Sequence, residues 1–315
     1  MISNRGVIDS WFKTYPLLLY TFFINKDNKE KLVAGFNRKG NKDEVEKQVQ
    51  QFKKAVSKDF GEPDVYRIDG VRNIPLDRSF VNNEIDDKIR PASSITRNSS
   101  SRGTVGGILN NYLFDDGNPF LLTCEHVLKN SKSGDKIRVR LNNQDEVVAK
   151  FYRGVNNEYL DFAIAEIDNE YLQKIAYTTK QGYRINFNDP TAANSVAHQK
   201  VRFTDRNGDL SPAAIIVSTE GTIKMTTTGK LYYNQIVLSK KISYPGDSGA
   251  VPILMDENTL RQDNSNMVPL EAMGLIFAEG YLEDEVQEGS NGLNGEHTFM
   301  NPISVIIDEI KKELE

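Results

Sequence analysis

The stretch Tyr244-Pro245-Gly246-Asp247-Ser248-Gly249-Ala250, followed by the apolar run Val251-Pro252-Ile253-Leu254, decides how this chain is read. It is a tight turn that holds one serine between glycines. Glycine tolerates strained backbone and lets another chain come close. A carbonyl can then reach the Ser248 hydroxyl while backbone N–H groups converge on one point. Acyl transfer needs that arrangement, a nucleophile beside donors aimed at a developing oxyanion. A serine hydroxyl is a weak nucleophile until a base takes its proton and a third group orients the base. The chain has three histidines, so the search for the base is short.

His126 lies in Phe120-Leu121-Leu122-Thr123-Cys124-Glu125-His126-Val127-Leu128, an apolar strand running into a small-residue turn. Asp161 opens the alternating stretch Asp161-Phe162-Ala163-Ile164-Ala165-Glu166-Ile167. His198 reads as a surface or loop residue, and the lone Cys124 as a small buried filler. In chain order the motifs are Thr-x-x-His, Asp-x-Ala and Gly-Asp-Ser-Gly. On these residues the chain resembles the trypsin/chymotrypsin family of serine proteases, over about residues 103–315.

The resemblance implies a mainly β fold: two antiparallel β-barrels (chymotrypsin-like) with a C-terminal helix, here preceded by a small α+β N-terminal unit. It also implies roles. Ser248 would be the nucleophile, His126 the general base, Asp161 the group that orients it, and the N–H groups of Gly246 and Ser248 the oxyanion hole. The substrate pocket would take its floor from Ile242 and Ser243, and its walls from Phe277, Ala278 and Glu279 and from His297. Glu279 would attract a basic side chain or point to solvent, and His297 would favour an acidic one. Ile242 stands where a trypsin-type preference for basic residues would require aspartate. Each triad residue alone has a structural alternative, so the other reading is a catalytically silent trypsin-like module acting as a protein-binding scaffold.

The organisation follows from local pattern. Residues 1–75 read as a β-β-α-β accessory unit: the apolar run 17–24, a second strand over 31–36, a helix over about 42–58 and a strand over 65–68. Asn41 with Glu44 three residues later suits a helix N-terminus. Residues 76–102 are polar and linker-like. Residues 103–177 would form the first barrel and 178–315 the second. The chain ends in a helix with Asn301 as N-cap, Pro302 in the first turn, and Ile303, Ile306, Ile307, Ile310 and Leu314 on one face.

A net charge of −5 speaks against general nucleic-acid binding, which rests on basic patches. The apolar run near the N-terminus is too short to span a bilayer. One cysteine permits no intrachain disulfide, whereas secreted members of the family usually carry several, so a cytoplasmic location is expected. No metal and no cofactor is expected; the acidic runs Asp256-Glu257 and Glu283-Asp284-Glu285 read as solvated loops. The expected partners are a protein or peptide substrate and a regulatory protein reached through the N-terminal unit. Arg102-Gly103 imitates an activation-cleavage site. The short span from Gly103 to His126 argues against one, because it already holds the strand leading to the histidine turn. Asp247 is then expected to find an internal partner.

Overall fold

The computed structural model describes residues 5–26, 29–77, 86–98, 101–110, 118–187, 197–205, 207–254, 269–283 and 295–314; of Lys26 and of residues 313 and 314 it describes the backbone only. Residues 115–117, part of the hairpin turn that Asp115-Asp116-Gly117-Asn118 would make ahead of the histidine strand, lie outside these residues, as do the pairs Asp256-Glu257 and Asp284-Glu285 and the side chain of Leu314.

In chain order, helix α1 (Arg5–Thr14) precedes strands β1 (Leu18–Lys26) and β2 (Lys29–Asn37), helix α2 (Lys42–Phe60), β3 (Asp64–Ile68) and β4 (Gly70–Asn73). Then come β5 (Ser94–Thr96), β6 (Gly103–Thr104), β7 (Gly107–Leu109), β8 (Phe120–Thr123), β9 (Lys136–Leu141), β10 (Gln144–Asn156) and β11 (Asp161–Ile167). The last part holds β12 (Ile185–Asn186), β13 (Lys200–Arg202), β14 (Ala214–Lys224), β15 (Leu231–Leu238), β16 (Ile253–Leu254), β17 (Leu270–Glu271), β18 (Gly274–Tyr281), β19 (Thr298–Pro302) and helix α3 (Ile303–Leu314).

The fold is mainly β, with two large sheets and a C-terminal helix. One sheet runs β6-β5-β9-β10-β11-β8-β7 and the other β3-β2-β1-β14-β15-β19-β18-β4. In each sheet the two end strands are neighbours in sequence, so the path returns to where it began. Pairing within both sheets is antiparallel except between β2 and β3, which α2 connects as a crossover.

The N-terminal segment has the expected β-β-α-β order, but it is built into the second sheet. β1 pairs with β14 through Tyr20↔Ile223 and Thr21↔Thr222, and β4 pairs with β18. The reason is burial. Leu18, Leu19, Tyr20, Thr21 and Phe22 are all buried, so β1 needs cover on both faces, which a free-standing unit does not supply. Helix α1 adds an element ahead of that order: Ile8, Trp11, Phe12 and Tyr15 recur at helical spacing and are buried. Trp11 packs edge-on against Phe52 of α2, with ring centroids 5.7 Å apart. At the start of α2, the Asn41 side chain accepts from the N–H groups of Asp43 and Glu44. Glu44 does not reach back to the Asn41 N–H; its side chain accepts from Gln48 Nε2.

Residues 76–102 are more than a linker. Ile89 and Ile95 are fully buried, and Asp77 and Arg102 exchange two backbone hydrogen bonds of 3.0 and 3.1 Å. At the other end, Ile303, Ile306, Ile307 and Ile310 of α3 are buried as the pattern predicts. Asn301 is not an N-cap. β19 continues through Pro302, and Leu275 of β18 pairs with Asn301. Sheet pairing overrides the local capping signal there. Among the described residues no helix is long and apolar enough to cross a membrane.

Candidate active site

The serine turn owes its shape to its glycines. Gly246 and Gly249 both have φ of +97°, which L side chains avoid. A Cβ on Gly249 would lie 2.4 Å from both the Thr104 carbonyl and Thr123 Oγ1. That contact is where the two sheets meet. Thr104 of β6 donates its N–H to the Ser248 carbonyl at 2.8 Å, and its hydroxyl donates to the Gly246 carbonyl at 2.7 Å. Asp247 has the internal partner expected of it: its Oδ2 accepts from the Tyr244 N–H at 2.8 Å, closing the turn on itself.

His126 sits in a single 3-10 turn after β8, and Asp161 is the first residue of β11. The structure brings both to Ser248. His126 Nε2 is hydrogen-bonded to Ser248 Oγ. His126 Nδ1 lies 2.7 Å from Asp161 Oδ2, and the His126 backbone N–H donates to Asp161 Oδ1 at 3.2 Å. Asp161 is fully buried. Burial pushes its carboxyl up, but the charge of His126 and the hydrogen bonds from His126 and Glu125 together outweigh it and hold the carboxyl below its ordinary value. The carboxylate therefore remains charged and able to accept Nδ1–H, which leaves Nε2 free to accept a proton.

Two residues at this centre are not marked for it by the sequence, where Asn301 reads as a helix cap and Asn73 has no pattern. Asn301 Oδ1 accepts from the Asp161 backbone N–H at 3.0 Å, and its Nδ2 donates to the Asp161 carbonyl at 3.3 Å. It locks the backbone that presents the carboxylate. Asn301→Ala would leave two buried backbone groups of Asp161 unpaired, so chemical denaturation should show a loss of about 1–3 kcal/mol. The second residue is Asn73 of β4. Its Nδ2 donates to Asp161 Oδ2 at 3.1 Å and lies 2.9 Å from His126 Nδ1.

Cys124, His126 and Asp161 each offer a possible ligand atom within 4.8 Å of one another. Their chemistry is already engaged. Burial first, and then the nearby charge of Asp161, push the Cys124 thiol well above its ordinary range, and the thiol donates to the Ile276 carbonyl.

The residues expected to shape a pocket divide. Ile242, Ser243, Phe277 and Ala278 are all buried. Glu279 does not point to solvent; basic side chains of the chain itself already meet it. It is 1% exposed and ion-paired, with Arg72 Nη2 at 3.0 Å, Lys241 Nζ at 3.3 Å and the Ser243 hydroxyl donating at 3.2 Å. His297 belongs to the core instead of a specificity wall. Its ring packs edge-on to Tyr20 and Phe22, and its Nδ1 is 2.8 Å from the Leu238 carbonyl. Burial pushes its pKa down to about 4, so it is neutral near pH 7 and offers no charge to an acidic side chain. His198 lies in a loop with φ of +69°, away from this centre.

No family model matches the chain, and no curated protein sequence does either. Solved structures do. A Nocardiopsis protease (NAPase) is 14% identical with a TM-score of 0.47, covering 70% of this chain and 96% of the protease. Thermobifida fusca protease A is 11% identical with a TM-score of 0.44, covering 70% of this chain and 95% of its own. A Cellulomonas bogoriensis chymotrypsin is 15% identical with a TM-score of 0.44, again over 70% of this chain and 95% of that one.

Proposed function

We propose that this chain is a serine endopeptidase that cleaves a protein substrate through Ser248, His126 and Asp161. One observation carries the reading: the continuous hydrogen-bonded chain from Ser248 Oγ through both ring nitrogens of His126 to the buried Asp161 carboxylate. In this reading Ser248 Oγ attacks the scissile carbonyl carbon, and its proton passes to His126 Nε2. The carbonyl oxygen takes up the negative charge, facing the N–H groups of Gly246 and Ser248. The intermediate collapses as Nε2–H gives its proton to the departing amine, leaving an acyl group on Ser248. Water, deprotonated by His126, then releases the acid and restores the serine. Asp161 keeps Nδ1 protonated throughout and stabilises the imidazolium. A regulatory role is part of the proposal, with the N-terminal segment as the route by which a protein partner reaches the site.

A fluorophosphonate probe tests the proposal. It should attach to Ser248, as read by intact mass and peptide mapping, and should not attach in His126→Ala. No attachment to a folded protein with an accessible serine turn would leave the silent scaffold.

Activation should need no cut after Arg102. The Arg102 side chain is buried in an ion pair with Asp145, and the next two residues form β6, which is stitched to the serine turn. Arg102→Ala should therefore be labelled as fast as wild type at unchanged intact mass, with stability lowered by about 1–3 kcal/mol through the loss of that pair. Labelling confined to a species that begins at Gly103 would show a conventional zymogen.

A further inference from the structure

Ser248 is 0% exposed, although attack on a carbonyl carbon requires the substrate to approach to about 3–3.5 Å. The ground beside the serine turn is held by the chain itself. β4 lies antiparallel on the free edge of β18, with Asn73 opposite Ala278, Arg72 opposite Glu279 and Val71 opposite Gly280. Beyond β4 the Ile74 N–H donates to the Phe277 carbonyl at 3.1 Å. The Ile74 side chain is 1% exposed, in the same buried cluster as Ile242, Ala250 and Ile276. The Pro75 carbonyl then accepts the Gly246 N–H at 2.7 Å. That donor is the one assigned above to the developing oxyanion.

These contacts are of the kind an extended peptide makes when it adds a strand to a sheet edge. Backbone pairing gives affinity, and alternate side chains enter pockets. The geometry points to Arg72–Pro75 as a resident peptide in the substrate cleft, which must leave before a substrate can enter. This rests on the peptidase reading for what the cleft is used for, but the occupancy itself does not.

The flanks suit a segment that leaves without unravelling the fold. Upstream, Arg38 holds Asp69 with two hydrogen bonds of 2.8 and 2.9 Å, and Val71 exchanges hydrogen bonds with Thr226. Downstream, Asp77 is paired with Arg102. Between these pins, Asn73 gives up its contacts with Asp161 and His126 when the segment leaves, while that pair keeps its own hydrogen bonds. Arg72 is the residue whose charge the cleft answers. Glu279 is buried and meets the Arg72 guanidinium, which also lies 4.2 Å over the Tyr281 ring. The resident segment thus describes its competitor: an extended peptide with an aliphatic residue at the place of Ile74 and a basic residue two positions before it.

Binding of a free peptide tests this apart from catalysis. The probe is a fluorescent Gly-Val-Arg-Asn-Ile-Pro peptide, with a control carrying glutamate for its arginine and aspartate for its isoleucine. The hosts are wild type, Ile74→Asp, which disfavours the buried seat, and Arg72→Glu, which sets like charge against Glu279 at a half-exposed position. Both hosts are checked by thermal melting, and Arg72→Glu serves where Ile74→Asp does not fold. If the resident segment leaves the cleft open only about 1–10% of the time, releasing it should tighten peptide binding by about 10- to 100-fold over wild type. The control peptide should not bind. The same variants should react with the fluorophosphonate faster than wild type by a similar factor. Equal peptide affinity in wild type and a folded variant would overturn the occupancy, and so would equal affinity for the control peptide. Peptide binding gained with Ser248 still unlabelled would uphold the occupancy and overturn the peptidase reading.

Discussion

Ser248→Ala and His126→Ala should each lower peptide hydrolysis by about 10⁶, and the double variant should be no worse than either. The argument is one of coupled function. The Ser248 hydroxyl is acidified only by transfer of its proton to His126 Nε2, with which it is hydrogen-bonded. Without the imidazole the hydroxyl stays an alcohol; without the hydroxyl the imidazole has nothing to activate. The residual rate comes from whatever still binds and polarises the carbonyl, and neither substitution touches the Gly246 donor. The fold should survive both changes. Ser248 lies in a turn held by Thr104 and by its own glycines, and those contacts run through backbone and the Thr104 side chain. The comparison belongs in wild type and in the Arg72→Glu background, so that a covered serine is not mistaken for an inert one. Substantial turnover by purified Ser248→Ala would remove the proposed nucleophile.

What was legible in the chain and what was not divides along sequence distance. The serine turn, the histidine turn and the aspartate at a strand head are each local patterns, and all three meet in space. Asn73 has no local pattern. It reaches the same centre because β4 pairs with β18, about 200 residues away, and a strand's register against a distant partner is set by tertiary burial. The same register decides Glu279, which faces Arg72 and not solvent. Asn301 shows the converse. Asn-Pro before an apolar helix carries a strong capping signal, yet the side chain turns inward to the Asp161 backbone because β19 pairs through that position. Composition makes residues 76–102 look like a linker because polar neighbours surround Ile89 and Ile95, which lie in the core. The two-barrel expectation named the sheets but assigned the second to the C-terminal half alone; pairing of β1 with β14 gives it N-terminal strands.

Asp161→Asn should lower turnover by about 10⁴, which is the loss known for the serine–histidine–aspartate template itself and is carried over from it. The physical route can be followed in this structure. The carboxylate uses both oxygens on the histidine: Oδ1 accepts from the His126 backbone N–H and Oδ2 faces His126 Nδ1, contacts that do not depend on the seated Asn73 amide. An asparagine has one acceptor and one NH₂ group. With its oxygen kept on the backbone N–H, the NH₂ faces Nδ1. The imidazole must then accept at Nδ1 and carry its proton on Nε2, where it cannot take one from Ser248. The opposite flip sets the NH₂ against the backbone N–H. Either way the base is held in the wrong tautomer or loses a hydrogen bond, while side-chain volume hardly changes. Thermal stability should therefore shift little compared with the fall in kcat, and KM should stay near the wild-type value because the substitution leaves the β18 edge proposed to hold the peptide untouched. Asp168 provides the control. It is paired with Lys150 at 2.9 Å, away from the histidine, so Asp168→Asn should leave turnover unchanged. A damaging Asp168→Asn beside a silent Asp161→Asn would transfer the orienting role and break the hydrogen-bonded chain on which the peptidase reading stands.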